Sequence, residues 1–322
     1  MKQTVPNAAV TAGPLDERPL LPGITTIILT FNEEIHIERA IANAKLYSRD
    51  ILVVDSFSTD STVKLAESLG ARVIQNKWVN YAKQFQFALD QEIDSAWVLR
   101  LDADELIGTD LAMKLNAELP AMPAEVAGIV FNRRHIFMGR WVRRGGRYPL
   151  LLLRLWRNGQ GQVEDRWMDE HVLVHGGRTV RINGEFSDAS ERDIAFFVTK
   201  HNGYAAREAV DVLDQRYDLF DKPQAITAEN SGWQASLKRL IKEKIYNRLP
   251  FGCGPLGYFL YRYLIQLGFL DGKTGLIYHF MQGFWYRFLV DSKILEFELA
   301  MEGCTTREER LVVLRQATGL KL

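Results

Sequence analysis

With 322 residues, 47% of them hydrophobic and 25% charged, the chain can bury one large core or two modest ones, which excludes disorder throughout. Forty Lys and Arg balance forty Asp and Glu, so net charge gives no reason to expect a nucleic-acid partner. Cys253 and Cys304 form no Cys-x-x-Cys pair and fit a reducing compartment without a zinc site.

Residues 1–22 contain Pro6, Pro14, Pro19 and Pro22 and lack the apolar segment of a signal peptide, so they read as a mobile tail. Residues 25–30 are β-branched and apolar and predict a strand ending in Phe31-Asn32-Glu33-Glu34. Ile37, Ile41 and Ala44 then recur at helical spacing. The pattern repeats with a strand at 51–54, a polar loop from Asp55 to Asp60, and a helix through Val63, Ala66 and Leu69. A short strand at 72–74, a helix around 81–89 and a strand at 97–101 follow, the last running into Asp102-Ala103-Asp104-Glu105. Strands alternating with helices predict a parallel α/β sheet.

Strands are also expected at 126–131, 151–156 and 172–174, with a basic stretch at 133–147 and mostly helix from about Gly203 onward. The apolar stretches at 256–270 and 276–290 are interrupted by Arg262 and Gln266 and by His279 and Arg287. Neither reaches the roughly 18 to 20 apolar residues of a spanning helix. The cations Lys238, Arg239, Lys242, Lys244 and Arg248, followed by many aromatics, leave two readings open. One is a helix at the surface of an anionic bilayer. The other is a helical hairpin packed on the sheet or on a second subunit as a homodimer.

In open α/β sheets, ligands bind outside the carboxyl ends of the strands, where Asn32, Asp55 and Asp102 all fall. Asp102 and Asp104 suit a hard cation, because Mg²⁺ is usually held by one or two carboxylates plus substrate phosphates.

Three segments, in this order, carry a resemblance: Ile28-Leu29-Thr30-Phe31-Asn32-Glu33-Glu34, then Val53-Val54-Asp55-Ser56-Phe57-Ser58-Thr59-Asp60, then Leu99-Arg100-Leu101-Asp102-Ala103-Asp104-Glu105. They resemble the inverting family-2 glycosyltransferases of GT-A fold, and within them bacterial enzymes of lipopolysaccharide core or exopolysaccharide synthesis. The resemblance implies a mostly parallel central sheet with a C-terminal helical extension, divided as a tail at 1–22, a catalytic domain at 23–202 and a helical region at 203–322. It further implies a metal-dependent hexosyltransferase using Mn²⁺ or Mg²⁺, and a cell-envelope polysaccharide or lipid-linked acceptor. Thr30, Asn32, Glu33, Asp55, Ser58 and Asp102 would line the nucleotide-sugar pocket; a uridine nucleotide (a UDP-sugar) fits best, since its N3–H can donate to a carboxylate. Asp104 would ligate the metal, with Asp102 and His201 beside it.

The resemblance also implies a general base in Glu164-Asp165-Arg166-Trp167-Met168-Asp169-Glu170-His171, with Glu170 or Asp169 taking the acceptor's proton. Arg147, beside Gly145-Gly146, would close as a lid over the diphosphate. The expected location is the cytoplasm or the cytoplasmic face of the inner membrane. Two alternatives remain at this stage: a nucleotidyltransferase, and a non-catalytic scaffold that keeps the fold.

Overall fold

The computed structural model describes residues 23–163, 172–220, 250–320 and 322. Four strands, β1 (Ile24–Thr30), β2 (Asp50–Asp55), β3 (Arg72–Gln75) and β4 (Trp97–Asp102), lie parallel in the order β3-β2-β1-β4. Their register sets Thr30 opposite Asp55 and Leu29 opposite Asp102, which levels the strand ends that carry the polar motifs.

Side chains alternate across a strand, so β1 feeds two cores. Ile24 and Ile28 join one with α1 (Glu34–Ala44) and α4 (Thr109–Glu118), whereas Ile27 joins the other with α3 (Tyr81–Leu89). The α1 stripe of His36, Ile37, Ala40, Ile41 and Ala44 is the buried face of an amphipathic helix. Helix α2 (Thr62–Ser68) follows β2 and adds Ala66 to the first core.

The sheet continues as β4-β8-β6-β11-β5, formed by β5 (Glu105–Ile107), β6 (Val126–Phe137), β8 (Leu151–Arg157) and β11 (Arg178–Ala189), with β7 (Arg140–Trp141) on the side of β6. Strand β8 runs antiparallel to both neighbours, while β11 runs parallel to β6. A separate antiparallel pair, β9 (Gly161–Val163) and β10 (Val172–Val174), flanks residues 164–171. The parallel α/β expectation holds in β1 to β4, and the second half completes the sheet through antiparallel β8.

Helix α5 (Ile194–Tyr217) begins where the Asp193 side chain accepts from the Phe196 amide at 2.8 Å, earlier than the expected start near residue 203. It runs through the boundary expected at 202/203. Its Ala205, Ala209 and Leu213 form a third core with α8 (Tyr286–Ala300) and α9 (Arg307–Thr318). Between them lies a hairpin of short pieces: α6 (Cys253–Leu260), a π turn at Tyr261–Ile265, a 3-10 turn at Gly268–Asp271, α7 (Gly272–His279) and a π turn at Phe280–Trp285. Among the described residues no helix is long and apolar enough to cross a membrane.

Candidate active site

The loops after β1 and β2 are laced together by side chains. Asp55 is buried and accepts from Thr30 Oγ1 at 3.0 Å, from the Ser58 amide at 2.9 Å, from Ser58 Oγ and from Gln75 Nε2 at 3.0 Å. Those four bonds fill the roughly four acceptor sites of a carboxylate. Ser58 Oγ accepts from the Asn32 amide at 2.8 Å, and Asn32 Oδ1 accepts from the Thr59 amide at 2.8 Å. Asn32 has φ of 55°, the left-handed region that Asn tolerates better than most residues.

Glu33 is held from the far side of the loop. The His36 ring accepts from the Glu191 amide at Nε2 (2.9 Å), so its Nδ1–H donates to Glu33 at 2.6 Å. Arg192 lies 3.4 Å from the same carboxylate and donates to the Asn32 carbonyl. Neither His36 nor Arg192 stood out in the sequence, since both act from outside the three motifs.

At the end of β4, Tyr81 Oη donates to Asp102 Oδ1 at 2.8 Å, and Arg100 Nε donates to Tyr81 Oη at 2.8 Å. The Asp102 amide donates to Glu105 Oε2 at 3.0 Å, and the other Glu105 oxygen pairs with Arg154. Glu105 and Arg154 are both buried, so this ion pair floors the acidic turn. Burial pushes the Glu105 carboxyl up, against the pull of Arg154. Burial also acts upward on Asp102, but Arg154, Arg100 and the Tyr81 hydroxyl outweigh it and hold Asp102 low.

Asp104 behaves differently from its neighbour. Burial, then the like charges of Asp188 and Asp102, push it up to about 6. Asp188, at the end of β11, stands opposite both Glu105 and His135 in the sheet register. It accepts from His135 Nδ1 at 3.1 Å and lies 3.6 Å from Arg133; these partners overcome its burial and hold it low. The Ala189 amide donates to the Asp104 carbonyl at 2.9 Å, tying the two acidic segments together.

The donor set fits a divalent cation as a half-site. Asp102 and Asp104 supply hard oxygen donors, and crowding of Asp102, Asp104 and Asp188 leaves negative charge that a cation would relieve. Among the described residues no group of three or more His, Cys, Asp or Glu is arranged to hold a metal. His201 is not brought to the carboxylates as a third ligand. Its ring stacks on Phe197 at 3.8 Å, packs edge-on to Tyr286 at 5.4 Å, and donates through Nδ1 to the Phe197 carbonyl at 2.8 Å. The residue beside it is the one that meets the charge of the carboxylates, as an ammonium and not as a ligand: burial lowers Lys200, but Tyr204, Asp104, Asp102 and Asp188 more than compensate and hold it well above the usual lysine range.

The Gly145-Gly146 loop is docked. The Gly145 amide donates to the Gln266 carbonyl at 3.0 Å, Arg262 Nε donates to the Gly145 carbonyl at 2.9 Å, and the Arg144 amide donates to Asp271 at 2.7 Å. Gly145 has φ of 66°, and a Cβ there would come within 2.1 Å of the His279 ring. Arg147 then lies over the Tyr278 ring at 5.4 Å, with Nε buried and unpartnered among the described residues. Burial lowers this guanidinium, an unusual expense that an anion would offset. Asp169 and Glu170, expected to supply the base, lie outside the described residues.

Three comparisons bear on this site. Residues 25–177 match the family described as Glycosyl transferase family 2. An uncharacterised glycosyltransferase of Rickettsia typhi is 27% identical over 287 residues, covering 86% of this chain and 88% of that one. The lipopolysaccharide core biosynthesis glycosyltransferase LpsC of Rhizobium meliloti is 28% identical over 277 residues, covering 82% and 91%. Among solved structures, the mannosyltransferase PcManGT of Pyrobaculum calidifontis, in complex with GDP-Man and Mn²⁺, is 15% identical with a TM-score of 0.44, covering 91% and 92%.

Proposed function

From a chain whose residues 25–177 match glycosyl transferase family 2, we propose an inverting, metal-dependent hexosyltransferase that moves a sugar from a nucleotide-diphosphate donor to a cell-envelope polysaccharide or lipid-linked acceptor. The observation that carries this reading is the placement of Asp102 and Asp104 level with the laced Thr30, Asn32, Asp55 and Ser58 loops at the carboxyl ends of β1, β2 and β4. The family match favours sugar transfer over nucleotidyl transfer, and the intact acidic turn favours catalysis over a scaffold.

Thr30, Asn32, Glu33 and Ser58 line the nucleotide side of the pocket, and Asp55 acts by holding Thr30 and Ser58 in place. The resemblance assigns a UDP-sugar as the donor; Asp55, its acceptor sites filled by Thr30, Ser58 and Gln75, leaves recognition of the base to other groups. Asp104, with Asp102, would hold Mn²⁺ or Mg²⁺, which when bound neutralises charge developing on the leaving diphosphate. Arg147 faces the phosphate side, where a guanidinium suits an anion. Glu170 or Asp169 accepts the proton of the acceptor hydroxyl as that oxygen attacks the anomeric carbon, giving inversion in one displacement. The two free cysteines fit a cytoplasmic site of action.

The test is transfer or donor hydrolysis measured with Mn²⁺ and with EDTA. Chelation should abolish turnover, and Asp104→Ala should lower it by a factor on the order of 10³. Full activity in EDTA would remove the metal from the proposal.

A further inference from the structure

Residues 189–193 carry β11 into α5 and touch, in chain order, the acidic turn, α1 and the loop after β1. The Ala189 amide donates to the Asp104 carbonyl at 2.9 Å, and the Ala189 carbonyl accepts from Arg39 of α1. The Glu191 amide donates to His36 Nε2 at 2.9 Å. Arg192 then lies 3.4 Å from the Glu33 carboxylate and donates to the Asn32 carbonyl. The segment is a strap between the turn that carries Asp104 and the loop that carries Asn32 and Glu33.

One side chain fixes the middle of the strap. His36 is 1% exposed, and both ring nitrogens are bonded: Nε2 accepts from the Glu191 amide, and Nδ1–H donates to Glu33 at 2.6 Å. A rigid ring bonded at both nitrogens has one orientation, so Glu33 and the strap are held at a set separation. The rest of the buried face of α1, Ile37, Ala40, Ile41 and Ala44, is apolar and packs in the first core. A polar ring in that stripe breaks the local pattern, and such breaks are expected where a site is being held. Arg39 ties the strap at a second point; its pair with the exposed Glu191 carboxylate is worth little, which leaves its bond to the Ala189 carbonyl as the tie.

A cation that joins the acidic turn to a diphosphate grips both only when the two sides keep their spacing. We propose that His36 is a positioning residue: through the strap of residues 189–192 it sets the separation between the nucleotide loop and the metal turn, and so couples nucleotide affinity to the divalent cation. This rests on the reading of the site as one for a nucleoside diphosphate and a metal.

The experiment is calorimetric titration of UDP and of GDP, each with and without Mn²⁺, into the full chain and three variants. The side-chain amide of Asn can stand in for Nδ1 and that of Gln for Nε2. His36→Asn therefore keeps the bond to Glu33 and frees the strap, whereas His36→Gln keeps the strap and frees Glu33. In wild type, Mn²⁺ should tighten the preferred nucleotide by at least about tenfold. His36→Asn should bind that nucleotide within about twofold of wild type without metal, yet lose at least about fivefold of the tightening. His36→Gln should already bind more weakly without metal. Arg39→Met, at a side chain 26% exposed, releases Ala189 from the surface and should reproduce the loss of tightening even if the buried substitutions do not fold. Hydrogen exchange at the Glu191 amide should speed up in His36→Asn and stay slow in His36→Gln. Wild-type tightening in His36→Asn or in Arg39→Met would overturn the inference and leave the reading of the site standing. So would identical losses in the two His36 variants, the mark of a merely structural role. Wild-type protein that binds neither nucleotide more tightly with Mn²⁺ would remove both the inference and that reading.

Discussion

In the sheet, Ile24, Ile27 and Ile28 are wholly buried and serve two cores by simple alternation; in the α6–α7 hairpin, Leu264 and Ile265 sit side by side and are half or more exposed. Hydrophobicity has a different meaning in each region. Strand β1 is covered on both faces by helices, so every apolar residue in it finds a partner. The hairpin is broken by two π turns, each adding a residue to a turn and rotating the stripe away from a single inward face. Polar residues show the converse: charged groups are sealed into the sheet beside the acidic turn, and the hairpin surface has almost none.

The largest expected effect that sharpens this contrast is at the sealed ion pair. Arg154→Ala should cost about 3–5 kcal/mol by leaving Glu105 buried without its partner. Replacing both, as Arg154→Met with Glu105→Gln, should recover much of that loss in urea unfolding. A smaller loss for the single change than for the double would mean the pair is not what supports the turn. Next comes a direct comparison of apolar residues. Ile28→Ala should cost about 2–5 kcal/mol, whereas Ile265→Ala should stay within about 0.5 kcal/mol. Similar costs at both sites would break the distinction between the buried core and the exposed hairpin.

The smallest effect is graded by pH. Asp104, pushed up to about 6 in the absence of metal, takes a proton as pH falls through that value. Mn²⁺ affinity should therefore drop about tenfold per pH unit below about 6 and level off above pH 7. Titration calorimetry at pH 5, 6 and 7.5 checks this. An affinity flat down to pH 5 would show that Asp104 does not bind the cation.

Strands β1 to β4 and their polar ends were legible because each is a short apolar run closed by turn residues, with a helix period after it. Strand β11 was not, since Arg178–Ala189 mixes charged, small and apolar residues and owes its place to non-local pairing with β6. The same pairing explains why β6 extends to Phe137: Arg133 and Arg134 look like loop residues until β11 brings Asp188 and Glu185 within 3.6 and 3.4 Å of them. Within the site, the positions of Asp102, Asp104, Asn32, Asp55 and Ser58 followed from the strand ends. Tyr81, Asp188 and Lys200 did not, because each reaches the acidic turn from a remote element. Arg154 could have been found: a lone cation inside the apolar run of residues 151–156 must point at a buried acid or at solvent. His201 shows the limit of resemblance, because one step along a helix turns a side chain by about 100°. That step separates a ring packed among Phe197 and Tyr286 from the Lys200 amine coupled to three carboxylates.

The docked Gly145-Gly146 loop bears on how this protein can be taken apart. A glycine pair between arginines invites trimming back to a minimal enzyme ending near residue 202, on the idea that the loop moves by itself. Its floor is made by Arg262, Gln266, Asp271 and His279. Cutting there would remove the platform along with the tail, and Arg147 would lose its ring partner Tyr278. Shortened versions that still fold should accordingly be judged first by their grip on the donor.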